Sequence, residues 1–327
     1  MPSPPSAMIT GITGQDGSFL AELLLHKGYT VWGVTRAEVN ASLGCSEHLR
    51  GQIELVHGDL LDPATLHAAI DELRPREIYH LAAPSFVPAS WERPGETMRA
   101  IVGSCAAILE TVRQLDPSMR VFAASSGTMF GEVGVSPQCE DTPCRPTTPY
   151  AVAKLAAHQL LGVLRAHQGL YACSGIAFNH ESERRPERFV TRRVSRAAAA
   201  ISLGLQEELT LGSLDAVRDW SFAGDIMEGA WLMLQQDEPD DYVLASGVAH
   251  TVAELADVAF ACVGLEAERY IRIDESLLRG KESTPNVGDP TRAHERLGWS
   301  PRVGFEDLVR RMVEADLQSL QSAAACT

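Results

Sequence analysis

The first half of the chain alternates short apolar runs with longer amphipathic stretches. Short apolar runs bounded by turn residues are typical of buried strands, and apolar positions at helical spacing are typical of helices. The pattern predicts strands at residues 7–10, 30–34, 53–57, 77–81, 121–125 and 171–178, and helices at 19–27, 63–73, 94–115 and 150–168. Because such elements form parallel β-α-β units, we predict an α/β fold with a Rossmann-type doubly wound parallel sheet.

The second half of the chain is less regular. Helical patterns recur at residues 190–203, 226–235, 252–263 and 305–317. A chain of 327 residues suits one sheet domain with a smaller second lobe. We expect residues 1–178 to form the sheet domain, with 219–263 returning to it, and residues 179–218 and 264–327 to form the smaller C-terminal lobe.

The charge balance and the cysteines narrow the classes of partner. A formal net charge of −15 argues against nucleic acid or an anionic membrane as the main partner. We find no run of about 20 apolar residues that would span a membrane. Seven cysteines without zinc spacing indicate free thiols in a reducing cytoplasm, and no metal site. The Pro/Ser-rich start, Met1 to Ser6, is interpreted as a frayed tail and not a signal peptide, so we expect a cytoplasmic protein.

A glycine-rich segment joins the first predicted strand to the first helix. Gly11 permits a tight turn, Gly14 lets the backbone approach a pyrophosphate, and Gly17 permits close packing of helix on strand. Since the segment lies between a strand and a helix, a dinucleotide site is favoured over a ligand-free turn. The expected cofactor contacts here are Gly11, Thr13, Gly14, Gln15, Asp16 and Gly17.

The end of the second strand bears on the choice of cofactor. An acid there would suit the ribose of NAD, whereas an arginine suits the 2′-phosphate of NADP. The chain has Arg36 and no acid before Glu38, so NADP is favoured over NAD, although Arg36 as a solvated charge stays open. Asp59 and Leu60 follow the third strand and are placed to contact adenine; a helix-capping role for Asp59 is the alternative.

A tyrosine and a lysine share one face of the helix predicted at 150–168. Tyr150 and Lys154 are four residues apart, and a cation beside a phenol lowers the phenol's pKa, which suits proton exchange between a hydroxyl and a carbonyl. Ser126, at the end of the fifth strand, is placed to bind the same oxygen. Together with the glycine segment, this set indicates a catalytic triad rather than a structural helix face.

At this point the chain resembles a known family. It is similar, from about Ala7 to Leu308, to the extended short-chain dehydrogenases, and within them to the GDP-mannose 4,6-dehydratase group. The resemblance lies in Thr10-Gly11-Ile12-Thr13-Gly14-Gln15-Asp16-Gly17-Ser18, Leu81-Ala82-Ala83-Pro84-Ser85-Phe86-Val87, Pro149-Tyr150-Ala151-Val152-Ala153-Lys154, Phe178-Asn179-His180-Glu181-Ser182, Phe189-Val190-Thr191-Arg192-Arg193, Leu214-Asp215-Ala216-Val217-Arg218-Asp219-Trp220 and Gly288-Asp289-Pro290-Thr291. The Asn-His-Glu-Ser and Arg-Asp-Trp runs are more specific than the glycine segment.

The resemblance implies roles for individual residues. Tyr150 and Lys154 match the family's catalytic pair, and Ser126 occupies its catalytic threonine or serine position. Further cofactor contacts are implied at Leu81, Ala83, Ser85, Tyr150, Lys154, Phe178, His180 and Arg185, the last with Arg184 as a pair that often reaches across a subunit boundary. Contacts with a GDP-hexose are implied at Ser85, Ser126, Asn179, Val190, Arg193, Arg218, Arg279 and Glu282.

The physics of the arginine-rich stretch agrees with such a substrate. Residues 184 to 196 contain six arginines, and a guanidinium suits a diphosphate because it donates two parallel hydrogen bonds. The expected partners are therefore a nicotinamide cofactor and a nucleotide sugar. A homodimer or homotetramer is expected as the assembly.

One position departs from the family pattern. The dehydratases carry Thr-x-Glu after the fifth strand, where the glutamate moves the C5 proton, but this chain has Ser126-Gly127-Thr128. A threonine has no group that titrates near neutral pH, so the leading expectation is hydride transfer at C4, as 4-keto reduction or 4-epimerisation. The alternatives are a 4,6-dehydratase with a relocated base, such as Glu132 or Glu140, and a non-catalytic NADP sensor.

Overall fold

The computed structural model describes residues 4–36, 42–277 and 284–325. Its strands are β1 (Ser6–Thr10), β2 (Thr30–Thr35), β3 (Glu54–His57), β4 (Glu77–His80), β5 (Arg120–Ala124), β6 (Ala172–Ala177), β7 (Asn179–Glu181), β8 (Leu209–Leu211), β9 (Val217–Arg218), β10 (Trp220–Phe222), β11 (Tyr242–Leu244), β12 (His250–Thr251) and β13 (Ile271–Ile273). Its α-helices are α1 (Gln15–His26), α2 (Pro63–Leu73), α3 (Ala89–Glu92), α4 (Pro94–Met98), α5 (Ser104–Leu115), α6 (Pro149–Gln168), α7 (Val190–Ser202), α8 (Ala223–Met233), α9 (Val252–Ala261), α10 (Thr291–Leu297) and α11 (Phe305–Ala325).

Seven parallel strands form the central sheet in the order β11-β6-β5-β4-β1-β2-β3. In the register, Ile9 of β1 lies between Gly33 of β2 and Tyr79 of β4. The chain leaves β1 toward β2 on one side and reaches β4 on the other, so the order reverses between β1 and β4. A crevice at the carboxyl ends of these two strands is where doubly wound folds bind ligands. The predicted fold class is confirmed.

Both faces of the sheet are covered by helices, which explains why its strands are apolar without strict alternation. Along β1, Ile9 packs in a core with Leu20 of α1 and Ile226 of α8. The next residue back, Met8, points to the opposite face and packs with Ile70 of α2 and Leu109 of α5. The sheet is therefore the middle layer of three.

A second core holds the smaller lobe together. It is built from α7, α9 and α11 against β8, with Val194, Leu255, Phe260 and Met312 among its buried residues. Within residues 219–263, α8 and β11 pack in the core of the sheet, and α9 packs with α7 in the second core. The chain returns to the sheet core with α10, after which the buried Trp299 donates its indole N–H to the Asp225 carbonyl at 2.8 Å.

Several elements differ from their sequence-based bounds. The helix predicted at 94–115 is interrupted by a π-helical turn, Arg99–Gly103, between α4 and α5. The first helix begins at Gln15, earlier than predicted, because Gly14 and Gly17 fit the helix start despite their low helix propensity. β11 was not predicted, since three apolar residues carry no periodicity.

The turn from β1 to α1 has no room for side chains. Gly11 has a φ of +79°, and a Cβ there would lie 2.9 Å from the amide nitrogen of Ala82. A Cβ on Gly17 would lie 2.3 Å from the Gly11 carbonyl oxygen and 2.7 Å from the Ile12 Cα. These glycines let the N-terminus of α1 press against the ends of β1 and β4.

We expect Gly17→Ala to lower the free energy of unfolding by about 1–3 kcal/mol, because the new methyl group meets backbone that cannot move aside. Gly162→Ala is the matched control, since a Cβ at this position of α6 would meet nothing closer than 4.0 Å. That variant should gain about 0.5–1 kcal/mol from helix propensity. Chemical denaturation measures both changes. Equal stability of the two variants would contradict the packing argument.

Candidate active site

The first turn of α1 faces the crevice. Its leading amide N–H groups have no partners within the helix, which makes a helix N-terminus favourable for anions. Gly14 is the N-cap residue, with its N–H on the Gly11 carbonyl at 3.0 Å. Thr13 holds the neighbouring segment, since its carbonyl accepts the Cys45 N–H at 3.0 Å. The loop geometry fits the pyrophosphate of a dinucleotide.

A half-buried ion pair joins this loop to the second lobe. The Nε2 of His180 lies 3.0 Å from Asp16 Oδ2, and its Nδ1 lies 2.8 Å from the Phe178 carbonyl oxygen. Since both ring nitrogens face acceptors, the ring is placed to carry both protons. Burial opposes both charges, but mutual attraction lowers the pKa of Asp16 to about 2 and raises the pKa of His180. Gln15 adds a hydrogen bond to the His180 carbonyl at 3.1 Å and accepts one from Ser182 at 2.8 Å.

The residues expected near the adenosine part of the cofactor lie at the ends of β2 and β3. Arg36 directly follows β2 and is exposed. Asp59 follows β3, and its carboxylate accepts the Leu61 N–H at 2.9 Å. The capping residue of α2 is Asp62, which accepts the Ala64 N–H at 3.2 Å, so Asp59 does not cap that helix. Leu60 is half-buried beside Asp59.

The catalytic candidates meet at the carboxyl end of β5. Ser126 begins a short 3₁₀ turn, Gly127–Met129, and its Oγ lies 3.0 Å from Thr128 Oγ1. Thr148 caps α6 by accepting the Ala151 N–H at 3.1 Å, which places Tyr150 in the first turn of α6. The Ser126 hydroxyl is close enough to Tyr150 to lower the pKa of its phenol. The structure thus brings together Ser126, Thr128, Tyr150 and, one turn later, Lys154.

The electrostatics of this group differ from the sequence-based expectation. Burial raises the pKa of Tyr150 to about 12, against the lowering effects of the Ser126 hydrogen bond and the Arg185 charge. Burial also lowers the pKa of Lys154 to about 8. The Lys154 ammonium donates to the Ala124 carbonyl at 2.5 Å and lies 5.8 Å from the centre of the Tyr150 ring. In this arrangement Ser126 and Arg185, rather than Lys154, favour the phenolate.

The segment after β4 and the residue after β6 flank the catalytic candidates. Ala83 and Val87 pack against the buried cluster that contains Tyr150, and Leu81 lies half-buried at the end of β4. Ser85, between them, is exposed. Phe178 stacks on Phe130 with ring centres 6.0 Å apart.

The residues expected to bind substrate occupy the start of the second lobe. Asn179 begins β7, and Val190 begins α7; both are half-buried. Arg193 is exposed on α7 and donates to the Thr210 carbonyl at 2.7 Å. Arg218 ends β9 and donates to the Val217 carbonyl at 2.7 Å. Arg279 and Glu282 lie outside the described residues.

Most arginines of the 184–196 stretch have partners within the fold. Arg184 donates to Ser18 at 2.9 Å and to Glu22 at 2.6 Å, both on α1 of the same chain. Arg185 lies 3.0 Å from a Glu181 oxygen, and its guanidinium covers the Phe189 ring at 3.6 Å. Arg192 pairs with Asp316, and Arg196 pairs with Glu187 and, at 3.9 Å, with Asp316. The charges of this stretch therefore stabilise the fold.

Sequence reasoning missed two residues that support the site. His80, at the end of β4, lies 2.9 Å from Thr10 Oγ1 and 2.9 Å from Ser104 Oγ, and burial lowers its pKa to about 3. Asn286 donates to the Gly127 carbonyl at 3.1 Å and holds the turn that carries Ser126. As a polar residue at the end of an apolar strand, His80 could have been recognised from the sequence. No sequence pattern indicates the role of Asn286.

Metal ligation and membrane insertion also bear on the class of site. In the described ranges no group of three or more His, Cys, Asp or Glu side chains has a geometry that would hold a metal ion. None of the described helices combines the length and the apolar character needed to cross a membrane.

Comparison with known proteins agrees with this geometry. The family model for GDP-mannose 4,6 dehydratase matches residues 8–312. GDP-mannose 4,6 dehydratase 1 from Arabidopsis thaliana is 45% identical over 324 residues, which cover 95% of this chain and 90% of that one.

Solved structures share the fold. RMD from Pseudomonas aeruginosa, complexed with NADPH, has a TM-score of 0.82 at 24% identity, covering 96% of this chain and 99% of that one. UDP-glucose 4-epimerase from Thermus thermophilus, complexed with NAD, has a TM-score of 0.81 at 26% identity, covering 95% and 98%. The extent of the family match and the 45% identity together show that the chain belongs to the GDP-mannose 4,6 dehydratase family.

Proposed function

We propose that the protein is a nicotinamide-dependent enzyme that transfers hydride at C4 of a GDP-hexose, as a 4-keto reductase or a 4-epimerase. The observation that carries the proposal is the hydroxyl pair Ser126 and Thr128 beside Tyr150, at the position where the family's dehydratases place a glutamate. The 45% identity to an enzyme named GDP-mannose 4,6 dehydratase supports the substrate class. Ser85, Asn179, Val190, Arg193, Arg218, Arg279 and Glu282 are the proposed substrate contacts.

The chain's own residues supply binding and proton transfer. A bound nicotinamide supplies the hydride acceptor or donor, and the N-terminus of α1 would hold its pyrophosphate. Tyr150 exchanges a proton with the C4 oxygen of the sugar, and Ser126 donates a hydrogen bond to the same oxygen. Lys154, fixed on the Ala124 carbonyl one turn after Tyr150, would hold the nicotinamide ribose, while Ser126 and Arg185 favour the phenolate. The Asp16 carboxylate is paired with His180 at 3.0 Å, so we do not assign it a role in proton transfer.

A 4,6-dehydratase with a relocated base is the second candidate, and the name of the Arabidopsis relative favours it. The two acids on the loop after β5 already have partners. Glu132 accepts the Thr284 N–H at 3.0 Å, and Glu140 accepts the Val243 N–H at 2.8 Å. Glu140 also lies 3.6 Å from Arg292. Burial raises the pKa of the Glu140 carboxyl, against the effect of that positive charge. Both carboxylates therefore bind backbone N–H groups of the fold. This supports a reaction that transfers hydride at C4 and leaves the C5 proton in place.

A non-catalytic NADP sensor is the distant alternative. A sensor would need the nucleotide loop but not a buried Tyr150 beside Ser126, with Lys154 fixed one turn away. Burial of such titratable groups opposes their charged forms, so their presence favours catalysis. Turnover of any GDP-sugar would exclude the sensor. The homodimer or homotetramer remains a prediction.

The cofactor is proposed to be NADP. Arg36 at the exposed end of β2 supports this, because a guanidinium suits the 2′-phosphate. The related fold from Pseudomonas aeruginosa was solved with NADPH and that from Thermus thermophilus with NAD, so the fold accommodates either dinucleotide.

We expect Tyr150→Phe to lower kcat by about 100-fold or more, because the positioned proton is lost while the ring is kept. NADPH affinity should stay unchanged, since the phenol is not needed for the pyrophosphate. Tyr171→Phe is the matched control; its hydroxyl donates to the Gln236 carbonyl at 2.6 Å, away from the crevice, so activity should stay normal. Near-normal turnover by Tyr150→Phe would assign Tyr150 to packing alone.

We expect Arg36→Ala to weaken NADPH binding while leaving NADH binding unchanged, because only NADPH carries the 2′-phosphate. Fluorescence titration of both cofactors measures the two affinities, and the wild type should bind NADPH more tightly. Arg113→Ala, an exposed arginine on α5, is the control and should change neither affinity. Equal loss of both cofactors in Arg36→Ala would contradict the assignment to NADP.

We expect the wild type to release no appreciable 4-keto-6-deoxy product from GDP-mannose, since a neutral hydroxyl at Thr128 cannot remove the C5 proton. General-base catalysis is worth about 10²–10⁴ in rate. Mass measurement with GDP-mannose, and separately with its 4-keto-6-deoxy derivative, with and without NADPH, separates water loss, gain of two hydrogens and isomerisation. Thr128→Glu should restore some water loss, with Thr128→Gln as the isosteric control. Robust water loss by the wild type would establish the second candidate instead.

A further inference from the structure

A fully buried carboxylate on α11 is the centre of a polar network in the second lobe. Asp316 accepts hydrogen bonds from Arg192 Nε at 2.9 Å and from Ser195 Oγ at 2.7 Å. Arg192 Nη2 and Arg196 Nη1 lie 2.8 and 3.9 Å from the same carboxylate as ion-pair partners. The Asp316 side chain has no exposed area. A charge buried this completely is stable only with such partners, so the network fixes Arg192 in one orientation.

The remaining nitrogen of Arg192 reaches a different part of the molecule. Its Nη1 donates to the Glu183 carbonyl and lies 3.4 Å from the Arg185 carbonyl. These two carbonyls belong to the turn that connects β7 to α7. A single planar guanidinium therefore ties this turn to the C-terminal helix, which a lysine ammonium could not do in the same geometry.

The same turn lies against the cofactor loop. Ser182 donates to the Gln15 side chain at 2.8 Å, and Arg184 donates to Ser18 at 2.9 Å. The turn therefore contacts the first two turns of α1 directly.

The Arg185 side chain is held by partners on the same segment. Its Nε lies 3.0 Å from Glu181 Oε2, and its guanidinium covers the Phe189 ring at 3.6 Å. Because Glu181 ends β7 and Phe189 directly precedes α7, the guanidinium moves with the turn between them. Its charge lowers the pKa of Tyr150 and of Asp16.

We propose that Asp316 is a positioning residue: through Arg192 it fixes the 183–185 turn and so holds the Arg185 guanidinium beside Tyr150 and the cofactor loop. Asp316 is not a proposed contact of substrate or cofactor. It acts on the turn through Arg192, which contacts two backbone carbonyls of that turn. The part of this inference that concerns NADPH rests on the proposed function. The part that concerns the turn rests on the contacts alone.

The experiment compares Asp316→Asn and Arg192→Lys with Asp225→Asn. Asp225 is the matched control because it is also a buried carboxylate that holds backbone, accepting the Arg302 and Val303 N–H groups at 2.8 and 2.9 Å, but it has no path to the turn. Arg192→Lys keeps the charge opposite Asp316, so it guards against a variant that does not fold. NADPH titration, thermal unfolding and amide exchange of residues 182–189 are measured for all three.

We expect Asp316→Asn and Arg192→Lys to weaken NADPH binding about tenfold and to speed exchange in the turn, since residues of one network are strongly coupled. Asp225→Asn should lower the unfolding temperature and change neither readout. Adding Asp316→Asn to Arg185→Ala should weaken NADPH binding little further, because the effect passes through Arg185.

Two outcomes separate the inference from the proposed function. A wild type that binds no NADPH contradicts the proposed function, while faster amide exchange of residues 182–189 in Asp316→Asn and Arg192→Lys still supports the positioning role. A wild type that binds NADPH, with Asp316→Asn and Arg192→Lys binding equally well and exchanging at the wild-type rate, overturns the inference. Full additivity of Asp316→Asn with Arg185→Ala would overturn it as well.

Discussion

The half-buried ion pair between Asp16 and His180 is the contact on which the alignment of the two lobes depends. Asp16 belongs to the first turn of α1, and His180 belongs to the first strand of the second lobe. Two opposite charges that are partly shielded from water attract each other more strongly than at the surface, so the pair fixes the nucleotide loop relative to the lobe that would hold the sugar. Ser182 donates a neutral hydrogen bond to Gln15 in the same contact region between the lobes, which we call the seam.

The seam explains how an acidic chain builds a site for anionic ligands. The formal net charge is −15, yet basic groups collect where the lobes meet. Arg184 is held on α1 by Glu22, and the charge of Arg185 lowers the pKa of Tyr150, so one turn supplies both an anchor and a local positive charge. Most of the neighbouring arginines stabilise this arrangement through carboxylates of the fold. The local field, rather than the net charge, would favour a phosphate-bearing ligand.

The sequence predicted much of the fold and the residues that meet at the candidate site, because both depend on local patterns. The glycine segment and the Tyr150–Lys154 spacing are readable without tertiary structure. By contrast, α9 packs in the second lobe although its apolar pattern suits either core, and β11 is too short to show periodicity. The Asp16–His180 pair joins residues 164 positions apart, so only the folded chain reveals it. The same is true of Asp316, whose burial no local pattern predicts.

The central claim is that the site moves hydride at C4 and leaves the C5 proton in place. Turnover of GDP-hexoses in D₂O, read by NMR of the isolated product, tests it most directly. The account predicts a product that carries no deuterium at C5 beyond the level seen without protein, because no described carboxylate beside Ser126 is free to act as the base. Enzyme-dependent deuterium at C5, or no product from any GDP-hexose, would contradict it.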